Sequence, residues 1–197
     1  MPQTGDLFFQ DLNCGKFCDA ITTVTLGYEN TQLSHVGMVI DKDGAQYIIE
    51  ARQSGVVLSS IEEFLQRSLD ENKKPRVIVG RLKPKYQRLI HQAAQNMVGW
   101  LGMPYNNNFT PNNKFKSFYC SQLIAQAFQL ANDGKPIFQY NIMTFKHQGK
   151  TTQAWESYFK KIGKLAPEGE VGTNPGMMSR DDAVTIIYQY GEPRKYL

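Results

Sequence analysis

Cys120, His35 and Glu50 are the side chains of this chain whose types could together break an amide bond. Cys120 opens an apolar-periodic stretch. Leu123, Ile124, Ala127, Phe128 and Ala131 recur at the spacing of a helix with one buried face. Ser117 stands where an N-cap belongs, which puts Cys120 in the first helical turn. Unpaired backbone N–H groups and the positive end of the helix dipole favour a thiolate there, and the thiolate is the nucleophile. Such a nucleophile needs an imidazole beside it, a polar group that fixes the imidazole tautomer, and N–H donors for the oxyanion.

A hairpin supplies the second and third groups. Ser34 to Ile40 reads as a strand, Asp41-Lys42-Asp43-Gly44 as a turn, and Ala45 to Ala51 as the return strand. With a four-residue loop His35 faces Glu50 directly. With a two-residue loop of Asp43 and Gly44 it faces Arg52, and Glu50 is its diagonal neighbour. In both registers His35 and Glu50 share a face, because side chains alternate with period two. Same-face neighbours across a hairpin lie within roughly 5 to 8 Å. One ring nitrogen of His35 can then serve Glu50 and the other the sulfur.

Each residue also has an ordinary role to set against this. A cysteine in an apolar helix packs. A histidine at a strand start bonds locally or meets solvent, and a glutamate closing a strand meets solvent. His91 falls on the polar side of its helix and His147 in an irregular stretch, each without a partner.

The elements that must position these groups follow in order. Leu7 to Gln10 is a first strand, and residues 13 to 32 form a loop with a short helix. Gly55 to Leu58 is a strand. Ser59 or Ser60 with Glu62 or Glu63 starts a helix running to about Leu69. Arg76 to Leu82 is a buried strand, and residues 85 to 101 form a helix with Leu89, Ala93, Met97, Trp100 and Leu101 inward. Tyr105 to Lys116 is an Asn-rich loop feeding the Cys120 helix. Thr152 to Ile162 is a helix, Pro167 to Ser179 a Gly/Pro-rich loop, and Val184 to Tyr190 a last strand. No repeat or linker divides the chain, so residues 1–197 are expected to form a single α+β domain. In it an antiparallel sheet, curled toward a small barrel, packs on the Cys120 helix and the helix at 85 to 101.

Composition narrows the classes. The 197 residues are 41% hydrophobic and 20% charged, with a net charge of +4. The positive excess is spread out, with no stripe of Lys and Arg interleaved with aromatics, so nucleic acid is not an expected partner. No run of about 18 apolar residues suggests a membrane span. The N-terminus lacks a signal-peptide pattern, which is expected of a cytoplasmic protein or of a secreted or periplasmic one after leader removal. Cys14, Cys18 and Cys120 do not form a disulfide framework. Cys14 and Cys18 have no nearby histidine or second pair for zinc. They read as structural or incidental, with a local disulfide the outcome in an oxidising setting.

The order Gly5-Asp6, Ser34-His35-Val36-Gly37, Glu50-Ala51, Tyr105 with Phe109, and Tyr119-Cys120-Ser121-Gln122-Leu123-Ile124 resembles the YiiX/YebB-like branch of the NlpC-type cysteine hydrolases. These are circularly permuted papain-like enzymes, in which the His strand precedes the Cys helix. The resemblance covers about residues 4 to 132. It implies a permuted papain-like fold with Cys120 as nucleophile, His35 as base and Glu50 as orienting group. It also implies that Tyr105 and Tyr119 line the substrate cleft. Two positions depart from the family pattern. Asn106 stands where an aspartate is usual and Gln122 where a glutamate often follows Cys-Ser, which bears on recognition of a cationic substrate group.

The leading functional reading is a cysteine hydrolase of amide bonds, in peptides such as those of bacterial cell wall, acting through an acyl-enzyme on Cys120. No cofactor or metal is required by that chemistry. An acyltransferase or thioesterase would use the same Cys-His site. A non-catalytic binding module that keeps the papain-like shell is the alternative from another class. A secreted factor acting on a host protein by deamidation or proteolysis is a third.

Overall fold

Strands rich in β-branched and aromatic residues form one antiparallel sheet at the centre of the fold. The structure is a computed structural model describing residues 2–110 and 114–196. Pro111, Asn112 and Asn113 of the Asn-rich loop lie outside the described residues. In chain order the first half contains β1 (Leu7–Gln10), α1 (Lys16–Thr23), β2 (His35–Lys42), β3 (Ala45–Arg52), β4 (Gly55–Ser60), α2 (Ile61–Gln66) and β5 (Val77–Leu82). Then follow α3 (Pro84–Gln87), α4 (Ile90–Gly99), α5 (Cys120–Ala131), and the short strands β6 (Asn141–Ile142), β7 (Lys146–His147) and β8 (Lys150–Thr151). The chain closes with α6 (Gln153–Lys161), β9 (Val171–Gly172), α7 (Pro175–Ser179) and β10 (Val184–Gln189).

Among the described residues the main sheet has six strands in the order β10-β5-β1-β2-β3-β4, every neighbouring pair antiparallel. Its edges are β10 and β4, so the sheet stays open rather than closing toward the expected barrel. One face carries Leu7, Phe9, Val36, Met38, Ile40 and Ile49, packed on Leu123, Ile124 and Phe128 of α5 and Ala93 and Met97 of α4. The other face carries Phe8, Val39, Ile48, Val77 and Val79, covered by Phe64 of α2. A third cluster gathers Phe109, Tyr119, Phe145, Trp155 and Phe159 beside the sheet.

The β2–β3 turn is the two-residue alternative. Lys42 pairs with Ala45, and Asp43 and Gly44 take φ of 55° and 79°. Positive φ at both central residues makes a type I′ turn, whose twist suits the hairpin. Continuing that register puts Gly37 opposite Glu50, with His35 on the diagonal.

Several sequence expectations shift at their ends. The N-cap of α5 is Tyr119, not Ser117, and Cys120 is its first helical residue. Gln122 decides this, since its Oε1 accepts the Tyr119 N–H at 3.2 Å. The helix expected at 85 to 101 is two, α3 and α4. The Leu89 N–H bonds back three residues to Tyr86 O at 3.0 Å, a tight turn that interrupts the regular ladder. Ser60, not Ser59, caps α2 by accepting the Glu63 N–H. That helix ends at Gln66 rather than Leu69. The Gly/Pro-rich stretch 167–179 holds β9 and α7, the latter capped by Asn174 with Pro175 in its first turn. Cys14 and Cys18 form a disulfide at the start of α1.

Candidate active site

β2 begins at His35, so the imidazole sits at the end of the sheet. The N-terminus of α5 arrives there from the neighbouring layer and brings Cys120. Cys120 is 6% exposed and His35 7%. Cys120 and Glu50 both act on the His35 imidazole and favour its charged form. Its Nε2 lies 2.5 Å from Glu50 Oε2, which leaves Nδ1 free of the carboxylate. The three residues singled out in the sequence therefore meet, as the diagonal register requires. Gly37 makes room for them. A Cβ there would collide with Ile48 Cγ2 and press on the Glu50 Cβ.

Behind Glu50 lies a set of groups with no signature in the sequence. Ser59 Oγ donates to Glu50 Oε1 at 2.6 Å. Arg67 clamps the carboxylate with two parallel bonds, Nη1 to Oε2 at 2.8 Å and Nη2 to Oε1 at 2.6 Å. Its Nη2 also reaches Glu63 Oε1 at 3.1 Å, and Arg52 pairs with that same oxygen at 3.0 Å. The Phe64 ring lies 5.8 Å from the imidazole and 5.2 Å from the Arg67 guanidinium carbon. Gln10, opposite His35 on β1, donates to Phe64 O at 2.8 Å. The imidazole is thus held by rigid neighbours on the strand and helix that flank it.

These contacts fix the charges. Burial lowers the affinity of His35 for its proton. The bonds to Cys120 and Glu50, and the charges on both, outweigh this and push its pKa up from 6.5 to about 9. For Glu50 burial works against ionisation. The bond and charge of His35 and the bonds from Arg67 and Ser59 nonetheless hold it well below the usual carboxylate range. His35 is then an imidazolium at neutral pH, and Glu50 a carboxylate.

On its open side Cys120 borders a cavity of about 400 Å³. Its walls are largely apolar, including Ile21 after the disulfide, Phe109, Ile142, Phe145 and Trp155. Tyr105 and Tyr119 line it too, as the sequence implies. Burial pushes the Tyr105 phenol well above its ordinary range, and the Cys120 charge adds to this, so Tyr105 keeps its proton. The Tyr119 hydroxyl accepts the Thr173 N–H at 3.1 Å and ties β9 to the start of α5. Arg180 is the one charged residue among those lining the cavity.

Asn106 and Gln122 do not line it. Both are buried. Asn106 Nδ2 donates to Gln122 Oε1 at 2.9 Å and to Thr110 O at 2.8 Å. The two departures from the family pattern answer each other, since a pair of amides bonds without a shared proton where two carboxylates would repel. Asp6, of the Gly5-Asp6 pair, is likewise structural. It takes both arms of Arg81, at 2.7 and 2.9 Å, and sits away from the sulfur on the β1–β5 side of the sheet. His91 and His147 are exposed.

A family model described as "Permuted papain-like amidase enzyme, YaeF/YiiX, C92 family" matches residues 1–188. Among solved structures, the chain is similar to the yiiX protein of Escherichia coli O157:H7, described as a metalloprotein. The two share 23% sequence identity with a TM-score of 0.76, over 98% of this chain and 99% of that one. At that identity the likeness concerns the fold. No curated protein matches the chain.

Proposed function

This chain belongs to the permuted papain-like amidases of the YaeF/YiiX, or C92, family, which are cysteine-type enzymes acting on amides, and from that premise we propose that Cys120 is the nucleophile, His35 the acid–base group and Glu50 its orienting partner. What supports the reading is one imidazole whose Nε2 is bonded to a buried carboxylate and whose proton affinity is raised by a cysteine at a helix start.

The steps follow from those charges. The Cys120 sulfur attacks the amide carbonyl, forming the C–S bond as the carbonyl π pair moves to oxygen. The Cys120 backbone N–H, at the first helical position, has no intrahelical acceptor and can receive the oxyanion. Tyr105, protonated and on the same wall, is the candidate second donor. The imidazolium passes its proton to the amine nitrogen as the C–N bond breaks. Neutral His35 then takes a proton from water, which attacks the thioester and releases the acid.

The cavity supports a narrower substrate class. Its apolar walls suit an amide bearing an apolar acyl or side-chain group beside the scissile bond. A cell-wall peptide rich in carboxylates would find one cation there, Arg180. Among the described residues no helix is long and apolar enough to cross a membrane. The Escherichia coli relative is described as a metalloprotein. In this chain no three His, Cys, Asp or Glu side chains among the described residues gather where an ion could be held. Both Glu50 oxygens are already engaged by His35, Arg67 and Ser59. The residues present do not fit a metal, and no step is routed through one.

The test is hydrolysis of a panel of N-acyl amides graded in apolar size, with cell-wall peptides alongside. The wild type is expected to favour the apolar members, and Cys120→Ala to be inert at unchanged circular dichroism. Wild-type turnover by Cys120→Ala would remove the proposal. A preference for cell-wall peptides would overturn the substrate class alone.

A further inference from the structure

Glu50 is a buried carboxylate with two cations on it. His35 takes one oxygen, and Arg67 takes both. Glu50 is fully buried and the Arg67 side chain is 13% exposed, so water screens this cluster weakly. From His35 outward the groups alternate in sign: His35, Glu50, Arg67, Glu63, Arg52. Tyr105 and Tyr119, the phenols beside the sulfur, are both pushed up by burial and stay neutral.

A carboxylate held by a single imidazole could rotate, or share its proton with the ring. A planar guanidinium bonded to both oxygens removes that freedom, since the fork matches the carboxylate plane. Ser59 locks the arrangement further, donating to Oε1 while accepting from Arg67 Nη2 at 2.7 Å. The second lone pair of Oε2 then has one direction left, toward Nε2.

We propose that Arg67 is a positioning residue for the amidase reaction. By clamping Glu50 in one plane as an anion, it keeps the imidazole of His35 charged on both nitrogens and turned toward Cys120. Arg67 touches neither sulfur nor cavity, so it acts through Glu50 alone. The proposal rests on the assignment of Cys120, His35 and Glu50 above.

The first arm of the experiment needs no substrate, and the second follows amide turnover. The rate of Cys120 alkylation by iodoacetamide is followed from pH 4 to pH 10, a readout on which purely structural damage has no characteristic signature. In the wild type the cationic partner His35 makes alkylation faster than that of a free thiol. In Arg67→Met, Glu50 loses one of its cations and takes up a proton at higher pH. The lower limb of the profile is then expected to move up by about one unit or more. Arg67→Lys keeps the charge without the fork. Its limb is expected to stay near the wild-type position while amide turnover falls by about 10-fold or more. A folded Arg67→Met with the wild-type limb overturns the proposal. If Arg67→Met does not fold, Arg67→Lys with wild-type turnover overturns it instead. Wild-type Cys120 that alkylates like a free thiol contradicts the underlying assignment, a result that no Arg67 variant can mimic.

Discussion

The two sides of Cys120 are made of opposite materials. Behind the sulfur lies a buried polar line, His35, Glu50, Ser59 and Arg67, on strands and a helix of the main sheet. In front lies an apolar cavity walled by Phe109, Ile142, Phe145 and Trp155, on loops, two-residue strands and α6. The polar side is fixed by short bonds in a place water hardly reaches. The apolar side is fixed by packing and has no direction of its own. Chemistry that must be placed to a fraction of an ångström sits on the rigid half, and recognition, which tolerates variation, sits on the half built of loops. Damage to the polar side should therefore appear in kcat and in pH dependence, and damage to the apolar side in KM.

The largest effect is expected at Glu50→Gln. The substitution keeps the shape, removes the charge and leaves Arg67 buried against an amide. By analogy with the carboxylate of a serine-type triad, kcat should fall by about 10⁴-fold. Steady-state rates at saturating substrate measure it, and a KM-only effect would dissolve the division between the two sides.

The second prediction concerns pH and stability. The His35 pKa is raised from 6.5 to about 9 on folding. Its contribution to stability is thus fully present below pH 6.5 and is lost as pH rises through about 9. Glu50 is depressed, so its contribution is present above its unfolded pKa of 4.5 and is lost only in strong acid. Melting temperature should decline between pH 6.5 and pH 9 in the wild type and decline less in His35→Gln. Equal slopes in the two proteins would contradict the charge assignment.

Ile142→Asp probes the other side. Ile142 is 72% exposed yet lines the cavity, so stability should change by no more than about 0.5 kcal/mol. KM for apolar amides should rise by about 10-fold, the equivalent of losing roughly 1.4 kcal/mol of apolar contact, with kcat unmoved. The smallest effect on turnover is expected from replacing Cys14 and Cys18 together by alanine. The disulfide spans a sequence separation of only 4, and closing so short a loop is worth about 2 kcal/mol. A lower melting temperature and a modest rise in KM should follow, because α1 carries Ile21 into the cavity wall. A change in the pH profile of kcat would show that the two sides are coupled.

How much of this was legible in the sequence follows the same division. The hairpin was readable because alternation and Asp43-Gly44 fix which residues share a face for a loop of two residues or of four. The Cys120 helix was readable from its apolar period. Arg67 was not, because its spacing from Glu63 marks an ordinary surface pair on a helix. Nothing in the sequence joins it to Glu50 until β4 and α2 fold back. Ser59 and Ser60 were interchangeable as caps until the register turned one toward the carboxylate. The cavity wall was illegible for another reason. Strands of two residues, such as β6 and β9, show no period, and the aromatics that meet there come from residues 109, 145 and 155. The tie between Asn106 and Gln122 was also hidden, so two substitutions that looked like changes to the cleft are a cap on the helix start.

The most direct measurement is intact-mass spectrometry of the protein quenched in acid during turnover of an apolar N-acyl amide. A species heavier by the acyl group, mapped to the peptide containing Cys120 and missing from Cys120→Ala, is the predicted result. Steady turnover by the wild type with no acylated species, matched by an equal rate in Cys120→Ala, would contradict it.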